Sequence, residues 1–130
     1  MSAKNNKEIM PSTEELLCPI RHLTNIFNGK WKLPIVCILS GETPLRYSTI
    51  KRKLGDITNV MLAQSLKELE ATGIVHREQY NEVPPRVEYM LTEKGRSILP
   101  ILMQLAGWAI EDMKNEASCG VLCTKCQAMI

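Results

Sequence analysis

The apolar residues of this chain change period along its length. Up to Gly73 they recur every three or four positions; from Ile74 to Leu91 the period shortens to two; from Ile98 the helical spacing returns on two stripes at once. The pattern predicts helices, then a pair of strands, then a long terminal helix. In the first block, Pro19 stands where it can open a helix over Ile20 to Phe27, and Asn28-Gly29 breaks it. Trp31, Ile35, Val36, Ile38 and Leu39 supply the core side of a second helix, Lys30 to Ser40, with Pro34 in the first turn or so, where no helical donor is lost. Gly41-Glu42-Thr43-Pro44 is a turn, and Leu45-Arg46-Tyr47 is a short extended piece leading to Ser48, a predicted N-cap.

A short helix over Thr49 to Leu54 then buries Ile50 and Leu54 and turns out Lys51, Arg52 and Lys53, the only dense basic cluster in the chain. Gly55 makes a tight turn into the helix within Asp56 to Gly73. Thr58 is placed to cap its start and Gly73 to end it in a left-handed conformation. Met61, Leu62, Leu66 and Leu69 form its predicted core stripe, while Asn59, Val60, Ala63, Gln64 and Lys67 share the other side. Two helices joined by a tight glycine-containing turn, the second with a polar outer face, make a helix-turn-helix.

Ile74 to Tyr80 and Arg86 to Leu91 are the predicted strands, with Val87, Tyr89 and Leu91 on one face and Arg86, Glu88 and Met90 on the other. Pro84 and Pro85 at the loop between them remove donors and suit an exposed hairpin tip. A hairpin behind a helix-turn-helix is a wing. Thr92 caps the last helix, where Ile98, Ile101, Leu102, Leu105, Trp108 and Ala109 form one stripe and Leu99, Met103, Ala106, Ile110 and Met113 a second; Pro100 predicts a kink or a restart. A helix apolar on two sides needs two partners, its own domain and, most simply, the same helix of a second subunit. The expected fold is therefore mainly α with a small β-hairpin wing (α+β), a winged helix-turn-helix dimerised through terminal helices.

At 130 residues, the chain has room for one domain. Residues 1–15 read as a flexible polar arm, 16–114 as the DNA-binding and dimerisation domain, and 115–130 as a cysteine-containing tail. The arm lacks the apolar stretch of a signal peptide, and Ile98 to Ile110 is too short and too interrupted to span a bilayer, so a cytoplasmic protein without a membrane partner is expected. A formal charge of +2 neither demands nor excludes a polyanion, which leaves the decision to how the charges are distributed.

That distribution points to double-stranded DNA. Lys51, Arg52 and Lys53, with Arg77, Arg86 and His76 on the wing, suit phosphate or minor-groove contacts. Asn59, Ala63, Gln64 and Lys67 suit a major groove, because amides pair with adenine edges and lysine reaches phosphates. Ser48 and Thr58, at the starts of the two helices, complete the expected DNA-binding set. Arg86 has a structural alternative as an exposed ion pair with Glu88 or Glu78. No catalytic constellation or cofactor site is expected: His22 and His76 sit on separate elements, and there is no glycine-rich phosphate loop.

Of the five cysteines, Cys18 lies at a predicted helix N-terminus, where unpaired backbone N–H groups favour a thiolate. Cys37 lies in an apolar run as a buried thiol. Cys119, Cys123 and Cys126 would share one face if the helix continued so far. Three thiolates there could bind a soft metal with a fourth ligand from elsewhere, pair with a second subunit, or fray. A metal-responsive regulator using this tail, or a winged-helix protein-interaction module, therefore stand as alternatives.

With these residues in place, Cys18 to Trp108 resembles the HxlR-type winged-helix transcription regulators, related in fold to MarR regulators. The resemblance rests on the CPI opening, on GKW at Gly29 to Trp31, on LRYSTIKRKLGDITNVMLAQSLKELEATGIVHR, and above all on VPPRVEYMLTEKG from Val83 to Gly95. It implies a homodimer, joined through terminal helices, that places one recognition helix per subunit in adjacent major grooves of a partly palindromic operator. Similar regulators with a cysteine at the position of Cys18 include sensors of quinones, aldehydes and oxidants, so a small electrophile or oxidant acting on Cys18 is the implied effector. Asn28 and Tyr47 depart from the usual glycine and phenylalanine, and the three-cysteine tail lies outside the pattern.

Overall fold

The computed structural model describes residues 18–114, and the chain divides after Lys30 into two units. In the first, α1 (Pro19–Ile26) starts with Pro19 at its first turn and Cys18 as N-cap in an extended conformation. In the second, the order is α2 (Lys32–Ile38), β1 (Leu45–Arg46), α3 (Tyr47–Leu54), α4 (Asn59–Ala71), β2 (Val75–Tyr80), β3 (Arg86–Leu91), α5 (Glu93–Ser97) and α6 (Leu99–Lys114).

The core of the second unit is where three helices and the base of the sheet meet. Ile35, Val36 and Leu39 of α2, Ile50 of α3, Ile57 of the following turn and Leu62, Leu66 and Leu69 of α4 are buried together with Ile74, Val75 and Leu91. Each such side chain contributes about 1.5–3 kcal/mol by leaving water. The apolar spacing along α4 thus anchors that helix by one side.

The sheet has one strand more than the expected hairpin. Strand order is β1-β3-β2, all antiparallel, with Leu45 opposite Tyr89 and Arg46 opposite Glu88. β2 and β3 pair from Val75–Leu91 at the base to Tyr80–Arg86 at the tip. The two-residue β1 falls within the extended piece expected at Leu45-Arg46-Tyr47; its pairing with β3 is what the sequence does not show.

Several expected details shift. α3 begins at Tyr47 with Arg46 as its N-cap, so Ser48 sits inside the first turn and caps nothing. Met61 is 44% exposed and leaves the predicted stripe, whose inner place is taken by the small, buried Ser65. Ile38 and Leu54 are half-buried at the ends of their helices. The terminal helix restarts: α5 closes at Ile98 and α6 opens at Leu99. Pro100 has no N–H to give to the Arg96 carbonyl, so an unbroken helix cannot pass through it.

α5 pins these parts together. The Thr92 hydroxyl donates to the Gly73 carbonyl and accepts from the Gly95 N–H at 3.0 Å. Lys94 Nζ donates to the Thr72 carbonyl at 2.8 Å, at the C-terminus of α4, and Arg96 donates to the Gly41 carbonyl at 2.8 Å. Gly95 lies so close to the chain that a Cβ there would meet the Ile74 carbonyl oxygen at 2.3 Å.

Candidate nucleic-acid interface

The turn between α3 and α4 is shaped by three residues. Gly55 has φ +89° and ψ −92°, a conformation that L side chains rarely adopt. Ile57 plugs the turn into the core. Lys51 Nζ donates to the Ile57 carbonyl at 3.2 Å, which commits one predicted phosphate contact to holding the turn. Thr58 then caps α4 as its sequence position predicts, accepting from the Met61 N–H at 3.1 Å. At the other end Gly73, at φ +81°, releases the chain into β2.

The face of α4 opposite the core is open. Asn59, Val60, Ala63, Gln64 and Lys67 are all exposed, and Val60 is 77% so despite being apolar. Arg52 and Lys53 of α3 are exposed, and like Lys67 they make no ion pair among the described residues. Ser48 is exposed one turn before them.

The two amides on this face are held from behind. The Tyr47 hydroxyl donates to the backbone carbonyl of Asn59 at 3.0 Å, with Asn59 Oδ1 at 3.3 Å. Burial, with Tyr89 nearby, raises the Tyr47 phenol above its ordinary value. Gln64 Nε2 donates to Glu68 Oε2, and the other oxygen of that carboxylate meets Lys32 Nζ at 2.6 Å. Lys32 is only 5% exposed, and its hydrogen bond, with that of Gln64, holds the Glu68 carboxyl below its ordinary value. None of Tyr47, Glu68 and Lys32 was among the predicted site residues. The four-residue spacing of Gln64 and Glu68 is a readable helix signal; the ties from Tyr47 and Lys32 cross between elements and leave no local trace.

The wing is differently arranged. Arg86 pairs with Glu82 at 2.9 Å and Glu88 at 3.5 Å and lies 4.0 Å from the Tyr80 ring centroid. That realises the ion-paired alternative for Arg86 rather than a free cation. His76 sits 2.8 Å from Glu78. Arg77, opposite Tyr89, is exposed without an ion pair among the described residues. Val83 at the tip is fully exposed beside Pro84 and Pro85.

A profile of the HxlR-like helix-turn-helix family matches residues 26–117. The chain belongs to the HxlR family. An HTH-type transcriptional regulator of Halalkalibacterium halodurans is 42% identical over 97 residues, which cover 75% of this chain and 86% of that one. The crystal structure of the HTH-type regulator ytcD superposes with a TM-score of 0.72 at 39% identity, covering 76% of this chain and all of that one. The redox regulator HypR in its oxidised form matches with a TM-score of 0.64 at 41% identity, over 72% of this chain and 96% of that one. This protein is thus an HxlR-type helix-turn-helix transcriptional regulator with the winged-helix fold.

Cys18 and Cys37 are both half-buried, and Cys18 is the N-cap of α1. Cys119, Cys123 and Cys126 lie outside the described residues, as do the predicted arm and tail. Among the described residues, no cluster of three His, Cys, Asp or Glu side chains is set to hold a metal, and no helix is long and apolar enough to cross a membrane.

Proposed function

We propose that this HxlR-type regulator binds a partly palindromic DNA operator as a homodimer, with α4 of each subunit in a major groove. The observation that carries this reading is the outward face of α4. Its apolar side is consumed by the core, while Asn59, Ala63, Gln64 and Lys67 stand exposed, and Arg52 and Lys53 of the preceding helix are exposed without an ion pair among the described residues. Arg52, Lys53 and Lys67 supply the phosphate term and Asn59 and Gln64 the base term, with Ser48 and Thr58 at the helix starts. Arg77 is the wing cation left for the backbone.

The second subunit is argued from α6. Ile101, Leu105 and Trp108 are exposed at spacings of four and three, Trp108 by 71%, and none of its residues is buried within the chain. A tryptophan-bearing apolar stripe of this kind favours a self-complementary interface. A regulator of this kind works where the DNA is, in the cytoplasm.

Cys18, half-buried at a helix start, is the proposed thiol through which an oxidant or electrophile releases DNA, a reading supported by the likeness to a redox regulator. The C-terminal cysteines are assigned no part in it.

Selection of bound fragments from genomic DNA, with and without diamide, tests the whole reading. The expected product is a set of sites with two half-sites about one helical turn apart, lost on diamide treatment and retained under diamide by Cys18→Ser. Enrichment of no common sequence contradicts operator recognition; release of Cys18→Ser by diamide contradicts the sensor.

A further inference from the structure

Glu68 lies on α4 one turn after Gln64 and does two things at once. One carboxylate oxygen accepts from Gln64 Nε2; the other receives the buried Lys32 ammonium at 2.6 Å. Lys32 comes from α2 and is fixed by the core around it, since Ile35 and Val36 beside it are fully buried. The chain Lys32–Glu68–Gln64 therefore runs from the interior to the exposed face of α4.

We infer that Glu68, anchored by Lys32, is a specificity-determining positioning residue that sets which way round the Gln64 amide is presented. The inference rests on α4 being the recognition helix. A free glutamine can turn its amide over and offer either its N–H groups or its oxygen to a base. Here the flipped amide would put Oε1 against a carboxylate, acceptor against acceptor. With Nε2 held at Glu68, the oxygen and one N–H remain available. Adenine satisfies both in the major groove, through its N6 donor and its N7 acceptor, whereas guanine and thymine offer only acceptors there. Glu68 thus biases the base met by Gln64 toward adenine without touching DNA, and Lys32 keeps the carboxylate charged and in place.

The test uses the selected operator with the base pair facing Gln64 varied through all four options. Parent protein is expected to favour adenine over guanine by about fivefold or more, the scale of one good amide–adenine pair. Gln64→Ala is expected to erase that preference. Lys32→Met/Glu68→Ala, which removes the pair without leaving a buried ammonium alone, is expected to bring the ratio to within about twofold while keeping the salt dependence of binding, which reports phosphate contacts. Glu68→Gln preserves side-chain volume and guards against misfolding; its oxygen stays with the donor-only Lys32 ammonium and its N–H faces Gln64, so the Gln64 amide turns over and the adenine preference is lost. In the free protein, the Gln64 side-chain amide should give a shifted pair of ¹H–¹⁵N signals that collapses toward the random-coil position in both variants. A folded double variant or Glu68→Gln that retains the adenine preference overturns the inference while leaving α4 as the recognition helix. A Gln64→Ala variant with every base preference unchanged overturns the recognition helix itself, and the inference with it.

Discussion

The helix-turn-helix and the wing both carry cations, and they use them in opposite ways. On the helix-turn-helix side, Arg52, Lys53 and Lys67 are exposed without an ion pair among the described residues, and the opposite side of α4 is buried. On the wing, Arg86 is held between Glu82 and Glu88 over Tyr80, and His76 is held by Glu78. Arg86 is thus already neutralised within the hairpin, whereas Arg77 is exposed without an ion pair among the described residues. The helix-turn-helix cations remain available to a polyanion. The difference extends to packing: α4 buries four residues, whereas β2 buries only Val75.

The largest effect that can break this contrast is on stability. Leu66→Ala should cost about 2–5 kcal/mol, because Leu66 is enclosed by the core; Val83→Ala at the wing tip should fall within about 0.5 kcal/mol, and chemical denaturation compares the two directly. At the joint between the regions, Gly95→Ala should cost about 2–3 kcal/mol, since the added methyl would sit on the Ile74 carbonyl.

Charge deletions sharpen the contrast next. Removing Arg52 and Lys53 together should reduce the slope of log affinity against log salt by about two units, one for each phosphate contact. Arg86→Ala should leave that slope unchanged and cost about 1 kcal/mol of stability, because the half-buried guanidinium is stacked on Tyr80 between two carboxylates. A slope that falls equally for both would show that the wing arginine trades its carboxylates for phosphates. The smallest effect is on acid stability. The Glu68 carboxyl is held below its ordinary 4.5 by Lys32, so its contribution is complete above that value and is lost as pH falls through the lowered one. Glu68→Gln should lower stability near neutrality, flatten the curve through that acid window and converge on the parent below it.

Much of this architecture is legible in the chain. Thr58 and Thr92 announce their caps, Gly73 its left-handed stop, and the spacing of Leu62, Leu66 and Leu69 the inner side of α4, because each signal lies within one turn of helix. What the sequence hides is decided between elements. β1 is a strand only because β3 lies beside it, and α3 starts before Ser48 although that residue has the better capping side chain. Met61 has the spacing for the core, yet the buried place on α4 goes to Ser65. The site follows the same division: the outward residues of α4 could be read from periodicity, while the ties of Tyr47 to Asn59 and of Lys32 to Glu68 could not.

The central claim, that the outward face of α4 reads bases, is tested most directly by comparing Gln64→Ala with the parent on operator DNA and on random DNA of equal length. The expected result is a loss of about 1–3 kcal/mol on the operator with binding to random DNA unchanged. Equal losses on both would contradict it.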